Sequence, residues 1–216
     1  MIGLQLPAGV RDPVVLCLGA HCDDIEIGCS GALMTLTERH PTLEMHWVVF
    51  TTEGQREAET RAAAARVAQA SGRVAVEVHG LRPSWLPSRW DEAKEIMEGV
   101  RRRCQPHLVF THRLEDRHQD HRTVAELTWN SFRDHLVLEY EIPKYEGDLG
   151  QPNLYVPLLR RVAEAKIGML MECFPSQRPH DWFDADTFRG LMRLRGLECR
   201  APEGFAEAFH ARKVIL

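Results

Sequence analysis

The chain has 216 residues, of which 44% are hydrophobic and 27% charged, and a formal net charge of −4. That is enough chain to bury a core without staples, and its balance of apolar and charged residues excludes a disordered polypeptide. The mild acidity argues against nucleic acid as a partner; the single basic run, Arg101-Arg102-Arg103, sits in a helical pattern and reads as a solvated helix end.

Short apolar runs alternate with longer amphipathic ones. Residues 14–19 (VVLCLG) read as a first buried strand and residues 28–40 as a helix. Residues 45–52 (MHWVVFTT) form a second strand. Residues 57–70 are alanine-rich with interspersed Arg and Glu, a strong helix former that stops before Gly72. A third strand spans 74–78. A helix spans 91–104, with Ile96, Met97 and Val100 on one face. A fourth strand spans 108–111, and a helix follows over 120–133. This alternation predicts an α/β, Rossmann-like three-layer fold with a mostly parallel central sheet and helices on both faces.

The last third breaks the rhythm. A strand is expected over 136–142, then a Pro/Gly-rich loop (PKYEGDLGQPN), a helix over 156–171, a loop over 174–182, a helix over 186–194 and a closing strand over 210–215. Neither a repeat nor a low-complexity linker marks a second domain. Residues 1–216 therefore read as one domain, with 136–216 as a cap region on the same sheet that shapes specificity.

The six cysteines, Cys17, Cys22, Cys29, Cys104, Cys173 and Cys199, form no CxxC pair and no disulfide framework. The opening residues MIGLQLPAGVRDP hold no apolar stretch long enough for a signal peptide, and no segment approaches the roughly 18 apolar residues of a membrane span. A reducing, cytoplasmic setting is expected.

Two clusters carry chemistry. His21, Asp23, Asp24 and Glu26 follow the first strand. His112, Glu115, Asp116, His118, Asp120 and His121 follow the fourth. Both fall where a strand gives way to a helix, and sites in open α/β sheets form at the carboxyl ends of parallel strands. Imidazole and carboxylate together suit zinc or a similar divalent ion, and three protein ligands with an open position describe a catalytic site. The surplus acids and imidazoles could take a proton from water and return one to a leaving group. The competing reading is that Asp23 or Asp24 caps the first helix and Asp120 the later one.

The two segments AHCDDIEIGCSGAL and Asp116-Arg117-His118-Gln119-Asp120-His121 resemble the paired motifs of the LmbE/PIG-L deacetylase family. Thr52-Glu53-Gly54, Arg56-Glu57-Ala58-Glu59 and the tail Glu207-Ala208-Phe209 add to the likeness, which is clear from about residue 14 to 130. The resemblance implies a zinc-dependent hydrolase that removes an acyl group, expected to be acetyl, from the nitrogen of an amino sugar or glycoconjugate. It assigns His21, Asp24 and His121 as ligands of zinc, or of another divalent metal such as Fe2+. It makes Asp23 the general base. It makes His118 the group that stabilises the oxyanion and protonates the amine, with Asp120 orienting and charging His118. Asp116 and Glu26 would support the ligands. Arg56 could reach a substrate hydroxyl or phosphate, or form an ion pair. A homo-oligomer would be in keeping with such relatives.

Two positions depart from the family pattern. Cys22 and Gln119 stand where prolines are usual, which frees a backbone N–H at each. Trp85, Trp90 and Trp182 fall in or near loops and could wall a sugar ring, or simply pack. His112 could line the pocket or be a satisfied structural histidine, and His180-Asp181 could belong to a lid. The alternatives to a deacetylase are another mononuclear metal-dependent reaction and a non-catalytic metal-binding scaffold of the same fold.

Overall fold

The strand β1 (Val14–Gly19) is apolar on both faces, and it lies at the centre of a sheet covered on both sides. A computed structural model describes residue 3 and residues 10–215. The opening stretch weighed as a signal peptide lies mostly outside the described residues. β2 (Glu44–Thr51), β3 (Val74–Leu81), β4 (Leu108–His112), β5 (Leu136–Tyr140), β6 (Leu154–Leu158) and β7 (Phe205–Ala211) complete a seven-stranded sheet of order β3-β2-β1-β4-β5-β7-β6. The first five strands run parallel. β7 is antiparallel to both β5 and β6.

The strands divide their side chains between two cores, as the two-residue strand period demands. Val15, Cys17, Trp47 and Phe110 join one core. It is closed by α1 (Asp24–Arg39), α2 (Arg56–Val67), α5 (Arg160–Cys173) and α6 (Ala185–Glu198). Leu16, Leu18, Phe50 and Val109 join the other, closed by α3 (Trp90–Arg103) and α4 (Gln119–Ser131). The result is the expected three-layer α/β arrangement. No helix among the described residues is long and apolar enough to cross a membrane.

Three of the differences from the expected boundaries have a reason in the packing. α1 begins at Asp24 rather than at residue 28, because Gly28 and Gly31 do not start a helix. They sit inside one, where an added Cβ would run into the Tyr140 ring at Gly28 and into Leu158 and Glu207 at Gly31. Residues 154–158 form a strand rather than the start of a helix. Pro157 lacks an N–H, and β6 is the sheet edge, where proline is tolerated. The closing strand is Phe205–Ala211, not 210–215; buried Glu207 disguises its apolar character.

Candidate active site

β1 and β4 are neighbours, yet the chain leads from β1 to β2 on one side and from β4 to β5 on the other. A crevice opens at the carboxyl ends of strands where the order reverses in this way. The two clusters, about a hundred residues apart in sequence, meet there.

Asp23 is the N-cap of α1 but makes no side-chain cap bond. Its φ of 145° is a conformation that costs a non-glycine residue about 1–3 kcal/mol. The unusual backbone sends adjacent carboxylates to different partners. Asp23 Oδ1 lies 2.7 Å from Arg56 Nη2. Asp24 Oδ2 accepts the His21 N–H at 2.6 Å, and the same carboxylate faces three imidazoles.

The three expected ligands converge. His21 Nδ1 is 3.3 Å from Asp24 Oδ2 and 3.2 Å from His121 Nε2, and His121 Nε2 is 3.4 Å from Asp24 Oδ1. Donor atoms arranged tetrahedrally around an ion at zinc-like bond lengths of about 2.0–2.1 Å lie about 3.3 Å apart. The opposite ring nitrogens are tied to carboxylates. His21 Nε2 meets Asp120 Oδ2 at 3.0 Å, and His121 Nδ1 meets Asp116 Oδ2 at 3.0 Å. Carboxylates behind imidazoles are the usual outer support of a metal site. Among the described residues, two sets bring one donor atom from each member within 4.8 Å of one another, His21 with His118 and His121, and Asp24 with His112 and His121, so the three expected ligands are divided between them.

The electrostatics favour positive charge at this point. Burial opposes protonation of His21, but Asp24 and Asp120 prevail and raise its pKa to about 10. His121 is raised in the same way, by Asp24 and Asp116 against burial. Asp24 is held well below the carboxylate range, despite burial, by His121, His112 and His21. Burial lifts Asp23 to about 6, with Arg56 opposing. His118 is pushed down to about 4 by burial and by His121 and His21.

The model of a family of GlcNAc-PI de-N-acetylases, PIG-L, matches residues 16–132, more than half of the sequence and both clusters. The chain belongs to this family. Its fold is shared by solved structures at low identity. GalB, the 4-carboxy-2-hydroxymuconate hydratase from Pseudomonas putida KT2440, gives a TM-score of 0.75 at 18% identity, over 94% of this chain and 98% of that one. The N,N′-diacetylchitobiose deacetylase from Pyrococcus horikoshii gives 0.72 at 20%, over 92% and 83%. The zinc-inhibited form of teicoplanin deacetylase Orf2 gives 0.70 at 13%, over 92% and 97%.

Within this PIG-L family member, some expected roles meet a different geometry. Asp120 does not reach His118 through its carboxylate. Its Oδ2 contacts His21 Nε2 and accepts the Ser84 N–H at 2.6 Å, and its Oδ1 accepts the Leu86 N–H at 3.1 Å. His118, not Asp120, is the N-cap of α4, and its Nδ1 accepts the Asp120 N–H at 3.3 Å. Arg56 uses Nη2 for an ion pair with Asp23 and a hydrogen bond to the Cys22 carbonyl at 2.5 Å, the ion-pair alternative for this residue. Glu26 is buried away from the crevice, bonded to Thr60 of α2 and raised to about 8 by burial. Cys22 points toward Thr51 and Thr52, and burial pushes its thiol up to about 12.

Other residues were less legible. His112 is fully buried. Its Nε2 lies 3.0 Å from the Ala20 N–H and 3.1 Å from Asp24, and its ring stacks on His121 at 3.9 Å. Lys144, in the loop read only as Pro/Gly-rich, bridges Asp116 at 3.0 Å and Asp148 at 2.6 Å. Nothing in the local sequence marks that lysine. His112 carried a signal, since it closes a parallel strand on the crevice side.

Proposed function

We propose that this chain is a zinc-dependent hydrolase that removes an N-acyl group, acetyl in the first instance, from an amino sugar or glycoconjugate. The observation that carries this reading is the approach of His21 Nδ1 and His121 Nε2 to 3.2 Å, with Asp24 Oδ2 3.3 Å from the first and Asp24 Oδ1 3.4 Å from the second, and a carboxylate behind each imidazole. It fits a small divalent ion. His21, Asp24 and His121 would hold such an ion, which would supply polarisation of an amide carbonyl and a water made nucleophilic near neutral pH.

The protein's own groups then divide the proton work. Asp23, buried and anchored at one oxygen by Arg56, takes the proton from the attacking water. Arg56 is thereby a positioning residue for the base. His118 accepts an N–H at Nδ1, so its neutral ring carries the proton on Nε2. That N–H donates to the developing oxyanion. The proton held by Asp23 passes to the amine nitrogen as the C–N bond breaks, leaving a free amine and a carboxylic acid that gives its remaining proton to solvent. Asp116 and Asp120 fix the rings of His121 and His21. Residues 136–216 extend the same sheet and supply Lys144 beside the site, and we assign specificity to this part of a single domain.

A second reading has one observation in its favour: a hydratase, GalB, shares this fold over nearly the whole chain. Water addition to a carbon–carbon double bond could use the same metal and base. The test is release of free carboxylate from the zinc-loaded chain, with N-acetylglucosamine, its dimer, nucleotide-linked N-acetyl sugars and 4-carboxy-2-hydroxymuconate as candidates. Acetate with stoichiometric free amine supports the deacetylase. Loss of the conjugated chromophore without acetate supports the hydratase. Binding of zinc with neither reaction leaves a metal-binding scaffold. The absence of a membrane-crossing helix among the described residues suits a soluble substrate in a cytoplasmic setting.

A further inference from the structure

The structure pins one exposed aromatic beside the crevice, and it pins it through the site itself. Trp85 is 49% exposed, although it lies between two residues that are firmly held. On one side, the Ser84 N–H donates to Asp120 Oδ2, the oxygen that also contacts His21. On the other, the Leu86 N–H donates to Asp120 Oδ1 while its side chain is fully buried. Gln119, one of the two departures from the family pattern, donates from Nε2 to the Ser84 carbonyl at 2.6 Å. Ser84 itself sits at φ 66°, a left-handed conformation unfavourable for a residue with a Cβ. The Arg82 guanidinium lies 4.4 Å over one face of the indole, and about half of the residue's surface remains in solvent.

Loops usually hide a large apolar ring or leave it mobile. Here three hydrogen bonds and the buried Leu86 side chain fix the backbone, strained at Ser84, around a residue that stays half in solvent. Backbone strain beside a functional centre is characteristic of positions whose geometry is used. The backbone on either side of Trp85 stands one carboxylate, Asp120, away from His21 of the proposed metal site. A flat apolar face at that place complements the C–H face of a pyranose ring, whose hydroxyls remain free for other contacts.

We infer that Trp85 is a specificity-determining residue, a fixed platform on which the sugar ring of the substrate stacks while its N-acyl group reaches the proposed metal site. Arg82 backs the ring from behind, and Gln119 with Asp120 holds it at its height. The inference rests on the amino-sugar reading above.

The test compares a ring with a chain. Wild type, Trp85→Ala and Trp85→Phe are assayed for acetate release from N-acetylglucosamine and its dimer, and from acyclic N-acetylethanolamine. Saturation-transfer NMR on the same proteins reports which sugar protons touch the protein. Trp85→Ala is expected to raise KM for the cyclic substrates about tenfold, to leave kcat within about twofold, and to leave the acyclic substrate unchanged, whereas Trp85→Phe keeps KM within about threefold. Transfer to the ring C–H protons should fall in Trp85→Ala and persist in Trp85→Phe. An equal loss on cyclic and acyclic substrates, or no loss, overturns the platform. So does a change from oligomer to monomer in sedimentation, which would assign Trp85 to a contact between copies. A wild type that releases acetate from the acyclic amide but neither binds nor cleaves the sugars overturns the platform and spares the deacetylase chemistry. A wild type inactive on every amide overturns both.

Discussion

Asp116→Asn separates metal support from folding. Asp116 uses Oδ2 to hold His121 Nδ1 and Lys144 Nζ, both at 3.0 Å, and Oδ1 to accept the His118 N–H at 2.8 Å. An asparagine can keep one of these acceptor duties but turns its NH2 toward donors on the other side. It also removes the charge that makes His121 a stronger ligand. Replacing such an outer carboxylate weakens metal binding about 10–100-fold, or about 1.4–2.7 kcal/mol. Lys144 keeps Asp148 at 2.6 Å, so no lysine is stranded and the fold should lose little. Zinc affinity is read by competition with a chromophoric chelator, and stability by urea unfolding of the metal-free forms. A variant that unfolds nearly like wild type but binds zinc tenfold or more weakly supports the arrangement. Unchanged zinc affinity in a folded variant refutes the role given to Asp116, and with it the reading of His121 as a ligand through Nε2.

Asp23→Asn should retain zinc and lose hydrolysis by about 10²–10⁴-fold, measured as acetate release at matched metal content; parental turnover would remove Asp23 as the base. Lys166→Met breaks a buried ion pair, because Lys166 Nζ meets Glu207 Oε1 at 2.5 Å with both side chains 3–4% exposed. It should cost about 3–5 kcal/mol in urea unfolding, and a cost near zero would show that the pair is not what holds α5 to β7. Glu26 has its folded pKa raised by burial from 4.5 to about 8. A carboxyl raised on folding stabilises the fold when protonated, and that stability is lost as pH climbs from about 4.5 through about 8. Glu26→Gln should therefore flatten the fall of Tm across that window, and an unchanged Tm–pH slope would contradict it.

The fold was readable wherever one physical rule acted alone. The doubly buried strands gave continuous apolar runs, and the alternation of strands with helices gave the parallel sheet. The site's residues were readable because β1 and β4 end in unusual concentrations of acid and imidazole. What escaped depended on partners distant in sequence. Gly28 serves the Tyr140 ring, not a helix start, and Glu207 enters a strand because Lys166 and two amides of α1, Gly31 and Ala32, receive it. The family resemblance pairs Asp120 with His118. The Asp120 side chain instead leaves the first turn of α4 toward His21 and the loop at Ser84 and Leu86. Lys144 became part of the site only through the path of a loop.

Crystals of the zinc-loaded protein, with diffraction recorded on both sides of the zinc absorption edge, would locate the ion directly. A single strong anomalous peak bonded to His21 Nδ1, a carboxylate oxygen of Asp24 and His121 Nε2, with Asp23 and His118 beside it but not bound, is the predicted result. Zinc centred on His118 in place of Asp24, or no peak in the crevice at full loading, would contradict it.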